Sequence, residues 1–157
     1  MEANTCCFIG HREISETKEL KERLYKLIES LIVDNGVDTF LFGSKSRFNG
    51  VCYETVTELK EKYPHIKRIY VRAEYPVIDE DYKRYLLKRY EKTYYPEKAV
   101  GAGRAVYIKR NFEMIDKSRY CVIYFDADRK YNTRKSGTRA AFEYAKSRHK
   151  AMFNTYF

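Results

Sequence analysis

No run of apolar residues in the 157-residue chain approaches the length of a membrane span. The N-terminus also lacks the apolar stretch of a signal peptide, so a cytoplasmic protein with no membrane partner is expected. The four cysteines (Cys6, Cys7, Cys52, Cys121) form neither a CxxC pair nor a ladder. That argues against a disulfide scaffold and against a zinc site, and no metal is expected. The cysteines read instead as small buried hydrophobes in a reducing compartment. Internal repeats, linkers and low-complexity segments are missing too, so residues 1–157 are expected to form one domain with an ordinary core.

What is present is 44% hydrophobic and 34% charged residues, an ordinary soluble composition. The formal net charge of +9, from 31 Lys+Arg against 22 Asp+Glu, favours an anionic partner: a nucleotide, a nucleic acid or a phosphorylated metabolite. Sixteen tyrosines can stack on bases or fill the core and its edges.

Short apolar runs alternate with amphipathic stretches. Residues 4–9 read as a buried strand that stops abruptly at Gly10-His11-Arg12. A helix follows, with Ser15 as its N-cap, an apolar stripe through Leu20, Leu24, Ile28 and Leu31, and Asn35-Gly36 as its C-terminal stop. Thr39 to Phe42 is a second strand, stopped by Gly43-Ser44, and Asn49-Gly50 opens the next helix. Residues 66–71 form a third strand and 79–91 a helix dense in Tyr and Arg. That helix is either basic–aromatic interleaving or a surface helix with tyrosines packed downward. Residues 94–96 are a brief fourth strand, and 104–116 a helix with Ala105, Ile108, Phe112 and Ile115 on its apolar side. The clearest buried strand is 121–125, ending in Asp126-Ala127-Asp128. A polar loop then leads into Ser136-Gly137-Thr138, a helix to about Arg148, and a last strand at 152–156.

This alternation predicts an α/β fold, a single three-layer Rossmann-like domain with a mainly parallel sheet. Parallel strands open their carboxyl ends on one edge, where ligands bind. Gly10 lets the backbone approach a ligand, and Arg12 can fork onto phosphate or carboxylate. His11 either bonds a ribose or phosphate or holds the first turn. Arg12 either clamps an anion or pairs with Asp126 or Asp128. Gly137 and Thr138, with Ser136, open a helix whose free N–H groups and dipole suit an anion. Gly101-Ala102-Gly103 lacks the third glycine of a dinucleotide fingerprint and reads as a loop.

In this order, Cys-Cys-Phe-Ile-Gly-His-Arg, the Gly43-Ser44 step, Arg110-Asn111 with Met114-Ile115-Asp116, the strand 121–125, and Ser136-Gly137-Thr138 with Tyr144-Ala145 resemble the YpsA-like branch of the SLOG superfamily. These are Rossmann-like relatives of DprA and of the LOG phosphoribohydrolases. The resemblance implies a site for a nucleotide or an ADP-ribose-like ligand. Gly10, His11 and Arg12 would be its first loop, Gly43 and Ser44 its second, Ser136, Gly137 and Thr138 its phosphate loop, and Arg110 and Asn111 the facing helix. LOG enzymes carry a glutamate three positions after the threonine, and here that position is Ala141. A binding domain, acting as sensor or carrier of a nucleotide-derived ligand, is therefore the leading expectation. The alternative is a nucleoside 5′-monophosphate phosphoribohydrolase drawing its carboxylate from Asp126, Asp128, Glu143 or Glu113. Nucleic-acid binding ranks third, because no base-reading motif is present and spread charge gives only salt-sensitive affinity. A homo-oligomer is also expected.

Overall fold

The computed structural model describes residues 2–43, 45–128 and 137–156. Strand β1 (Thr5–Gly10) leads to helix α1 (Lys18–Asn35), followed by β2 (Thr39–Phe42), α2 (Arg47–Lys62) and β3 (Lys67–Val71). After α3 (Glu80–Arg89) and β4 (Lys92–Tyr94), two 3-10 turns lead to α4 (Val106–Asp116). Strand β5 (Tyr120–Tyr124), α5 (Gly137–Ser147) and β6 (Ala151–Asn154) complete the chain. The six strands form one sheet in the order β4-β3-β2-β1-β5-β6. Every pairing is parallel, as the alternation of strand and helix predicts.

Side chains alternate across a strand, and here the alternation divides the core into two. Cys6 and Phe8 of β1 and Phe40 and Phe42 of β2 pack with Leu24 and Ile28 of α1 and Phe48 and Val56 of α2. Cys7 and Ile9 of β1 and Leu41 of β2 pack on the other face with Met114 and Ile115 of α4 and Ala141 and Ala145 of α5. The result is a three-layer α/β arrangement. All four cysteines are buried and unpaired. No described helix is long and apolar enough to cross a membrane.

Several local signals sit elsewhere than expected. Thr17, not Ser15, caps α1, its Oγ1 accepting from the Leu20 N–H at 3.1 Å. Gly36 ends α1 in the left-handed region (φ 68°), as the Asn-Gly pair predicts. Helix α2 starts at Arg47 rather than at Asn49-Gly50, because Ser46 accepts from the Asn49 N–H and closes the turn three residues earlier. Helix α4 is rotated from its expected face: Ile108 is 38% exposed, and Arg110, Glu113, Met114 and Ile115 point inward. Packing of Met114 and Ile115 into the core fixes that rotation and carries a charged residue in with them.

Candidate functional site

The strand order reverses beside β1: β2, β3 and β4 add to one side of it, β5 and β6 to the other. In open α/β sheets the ligand crevice lies at the carboxyl ends of the strands, at such a switch point. A cavity of about 650 Å³ occupies that place, within the usual range for small-molecule sites. Its wall takes Gly10, His11, Arg12 and Glu13 from the end of β1, Gly43, Lys45 and Ser46 from the end of β2, and Tyr70 to Tyr75 (without Val71) from β3 and beyond. Tyr82 of α3, Tyr107, Arg110 and Asn111 of α4, and Gly137 and Thr138 at the start of α5 complete it. The chain's first turn and its late Gly-Thr turn therefore share one mouth. Ser44 and Ser136, and with Ser136 the rest of the polar loop 129–136, lie outside the described residues.

His11 is 3% exposed. Its Nε2 accepts a hydrogen bond from the Asp126 backbone N–H at 2.9 Å, so that nitrogen carries no proton. The bond ties the end of β1 to the end of β5 across the switch point. The ring also packs on Tyr124 and Phe125. The turn-holding bond that the sequence allows for His11 is present, and His11 also lines the cavity.

Two glycines make room for side chains rather than for unusual backbone. A Cβ at Gly10 would stand 2.6 Å from Phe48 Cβ and closer still to its ring. The bare backbone at Gly10 thus accommodates the fully buried Phe48, and its φ is not positive. A Cβ at Gly43 would meet Arg110 Cδ at 2.6 Å and Met114 Sδ at 2.9 Å. Gly43 is the opening through which Arg110 reaches the cavity.

Arg110 is 5% exposed. Its Nη1 donates to the Gly43 carbonyl and its Nε to Asn111 Oδ1, the latter at 3.0 Å. Of the five N–H donors of a guanidinium, these two bonds leave three without an acceptor among the described residues. No carboxylate lies within ion-pair distance of it among those residues. Burial lowers the Arg110 pKa, opposed by the Tyr70, Tyr107 and Glu74 oxygens nearby. A buried cation with open donors and no ion-pair partner among the described residues can take up an anion.

The other cations of the wall differ in availability. Arg72 directs Nε to the Tyr75 carbonyl (3.0 Å), Nη1 to Thr93 Oγ1 (3.1 Å) and Nη2 to the Pro76 carbonyl (3.3 Å), so it shapes the lip after β3. Lys45 Nζ stands 4.0 Å from Glu74 Oε1, which also accepts from the Tyr107 hydroxyl at 2.8 Å. That hydrogen bond raises the Tyr107 phenol. Arg12 is exposed, and its side chain makes no ion pair with Asp126, Asp128 or any other described residue. Gly137 and Thr138 open α5 onto the same space, and a Cβ at Gly137 would meet nothing within 4 Å.

The carboxylates considered for catalysis lie elsewhere. Asp126 Oδ1 accepts from the Asp128 N–H at 2.9 Å, closing its own turn, and the Asp126 carboxylate bonds the Tyr156 hydroxyl, raising that phenol. Asp128 and Glu143 are exposed. Glu113 is buried against the Lys98 N–H (3.1 Å) and Lys117 (3.5 Å). None of the four lines the cavity, whose described acids are Glu13 and Glu74. Ala141, at the position of the LOG glutamate, is buried in the core beside α4.

The wall after β3, from Tyr70 to Tyr75 with Tyr82, escaped the sequence reading. The available signal was the rule that placed Gly10 and Gly43: in a parallel sheet the residues just past β3 open on the same edge. No protein-family model matches the chain, and no curated protein matches it in sequence.

Proposed function

We propose that the cavity binds a phosphate-bearing, nucleotide-derived small molecule, and that the protein acts as a sensor or carrier of it. The observation that carries this reading is Arg110, a permanent cation buried at the cavity wall with three open donors and no carboxylate partner among the described residues. The start of α5 at Gly137 and Thr138 adds backbone N–H groups and a favourable dipole on the same wall. Arg12 at the mouth supplies a further exposed cation. The resemblance to the YpsA-like branch of SLOG belongs to the same proposal and agrees with it. A phosphoribohydrolase reading finds none of its candidate carboxylates on the cavity wall.

The test is isothermal titration of the full chain with AMP, ADP-ribose, cyclic nucleotides and inorganic phosphate. Saturable one-site heat with at least one phosphate-bearing member is expected, weakened by Arg110→Met. Flat heats with every member defeat the proposal.

A further inference from the structure

Four of the cavity's side chains are tyrosines outside both core clusters, although Tyr70 packs on Tyr90, which lies against the first. Tyr70, Tyr75, Tyr82 and Tyr107 all line the cavity, yet none belongs to either hydrophobic cluster. Tyr120 belongs to the first cluster, and Tyr53, Tyr63 and Tyr90 pack against it. Tyr75 is 54% exposed at the lip. Aromatic rings left on the wall of a concavity, outside the core clusters, point to an apolar, flat occupant. Tyr75 and Tyr82 meet edge to face, with centroids 6.3 Å apart and planes 84° apart, and so form a corner, while Tyr82 also stacks on Tyr85 with centroids 6.2 Å apart. Arg72, bonded to Thr93, also donates to the Tyr75 and Pro76 carbonyls, so the backbone that carries the Tyr75 ring is set before any ligand arrives.

This corner and the anion-binding groups occupy different parts of the edge. Tyr70 and Tyr75 follow β3, Gly43 and its partner Arg110 sit at the end of β2, and Gly137 follows β5. Neighbouring strands lie about 4.8 Å apart, so the end of β3 is one step, about 5 Å, from β2 with Gly43 and Arg110, and three steps, roughly 14 Å, from β5 with Gly137. One elongated ligand can span these distances with its charge at one end and a ring at the other.

Resting on the anion-binding proposal, we infer that the Tyr75–Tyr82 corner is the base subsite, and that the ligand is therefore a nucleoside phosphate rather than a sugar phosphate or a small inorganic anion. The ring of the base lies against Tyr82 and is edged by Tyr75. Stacking of this kind is tolerant of base identity, so adenine and guanine nucleotides are accepted alike.

The experiment compares AMP with ribose 5-phosphate, which has the same charged end and no base. Both are titrated into the wild-type chain, Tyr82→Phe, and the double variant Tyr75→Ala/Tyr82→Ala. Saturation transfer from protein to the base protons of AMP is recorded in parallel. Wild type and Tyr82→Phe should bind AMP about 10-fold or more tighter than ribose 5-phosphate, with strong transfer to the base protons. The double variant should lose that margin and the transfer while keeping its affinity for ribose 5-phosphate. Because neither ring lies in a core cluster, the unfolding midpoint should stay where it is. Equal wild-type affinities for the two ligands, or a margin that survives the double variant, overturn the base subsite alone. Absence of binding by both ligands overturns this inference, and the anion-binding proposal falls with it only when ADP-ribose, cyclic nucleotides and inorganic phosphate give flat heats as well.

Discussion

Replacing Arg110 with methionine separates a ligand-binding role from a structural one, because the two roles predict opposite pairs of results. In the free protein, Arg110 contributes two hydrogen bonds, to the Gly43 carbonyl and to Asn111 Oδ1. Against them stands the desolvation of a cation 5% exposed, with no carboxylate beside it among the described residues. Apolar replacement of a buried charge of this kind is often neutral or stabilising. The two groups left behind lie on or beside the cavity wall, where water can reach them. The net change in unfolding free energy should therefore stay within about 1 kcal/mol. Binding should respond quite differently. Charge-assisted hydrogen bonds contribute about 1.5–3 kcal/mol each. Loss of the guanidinium should weaken AMP or phosphate by roughly 10- to 150-fold at about 1.4 kcal/mol per decade. Arg110→Lys should fall between, keeping the charge but losing the fork. Calorimetric titration and chemical denaturation of the same samples read both quantities. Undiminished affinity together with a stability loss of several kcal/mol would show that Arg110 is a strut, and would sink the reasoning.

Other substitutions probe the surroundings of the site. Gly43→Ala should cost about 1–3 kcal/mol and weaken the ligand, because its Cβ would press on Arg110 Cδ and Met114 Sδ. Unchanged affinity in that variant would mean Arg110 has room to shift. Gly10→Ala should destabilise by about 1–3 kcal/mol or more, since the Phe48 ring it meets is fully buried; a wild-type denaturation midpoint would contradict this. Burial alone would raise the Glu91 carboxyl, but hydrogen bonds from the Arg68 guanidinium and N–H, and the charges of Arg68 and Lys60, hold it below the usual range. Its stabilisation is thus complete above the unfolded glutamate value of about 4.3 and fades as pH falls through the lower folded value. Glu91→Gln should lose about 1 kcal/mol at pH 7, discounted for partial exposure, and match wild type in strong acid. A pH-independent difference would refute that. Burial raises the Cys6 and Cys52 thiols well above their ordinary value. All four cysteines are buried and unpaired, so a thiol reagent should label none in the native chain and four after unfolding; rapid native labelling would be the contrary result.

The parallel architecture was legible because β1, β2 and β5 are short apolar runs cut off by a small or polar residue, with amphipathic helices between the strands. Phe8, Phe40 and Val122 fall on one face, and Cys7, Leu41 and Cys121 on the other, as a period of two requires. The shared mouth of Gly10-His11-Arg12 and Gly137-Thr138 was legible for the same reason, since parallel strands open on one edge. Arg110 was not readable as a buried residue. A charged residue on an amphipathic helix is assigned outward, and only the gap over Gly43, distant in sequence, lets it turn in. Ile108 was assigned inward by its apolarity, but Met114 and Ile115 fill the core and leave it facing out. The bond from the Asp126 N–H to His11 joins residues far apart in the chain, and no local pattern encodes it. The tyrosine corner was half visible: the density of rings at 79–91 stood out, but not that Tyr82 alone of that helix reaches the cavity wall.

The most direct test of the central claim is a crystal structure of the full chain grown with saturating AMP. The account predicts the phosphate within hydrogen-bond reach of the Arg110 guanidinium and the first turn of α5. Nucleotide density at any other place on the protein, with the cavity beside Arg110 holding only solvent, would contradict it.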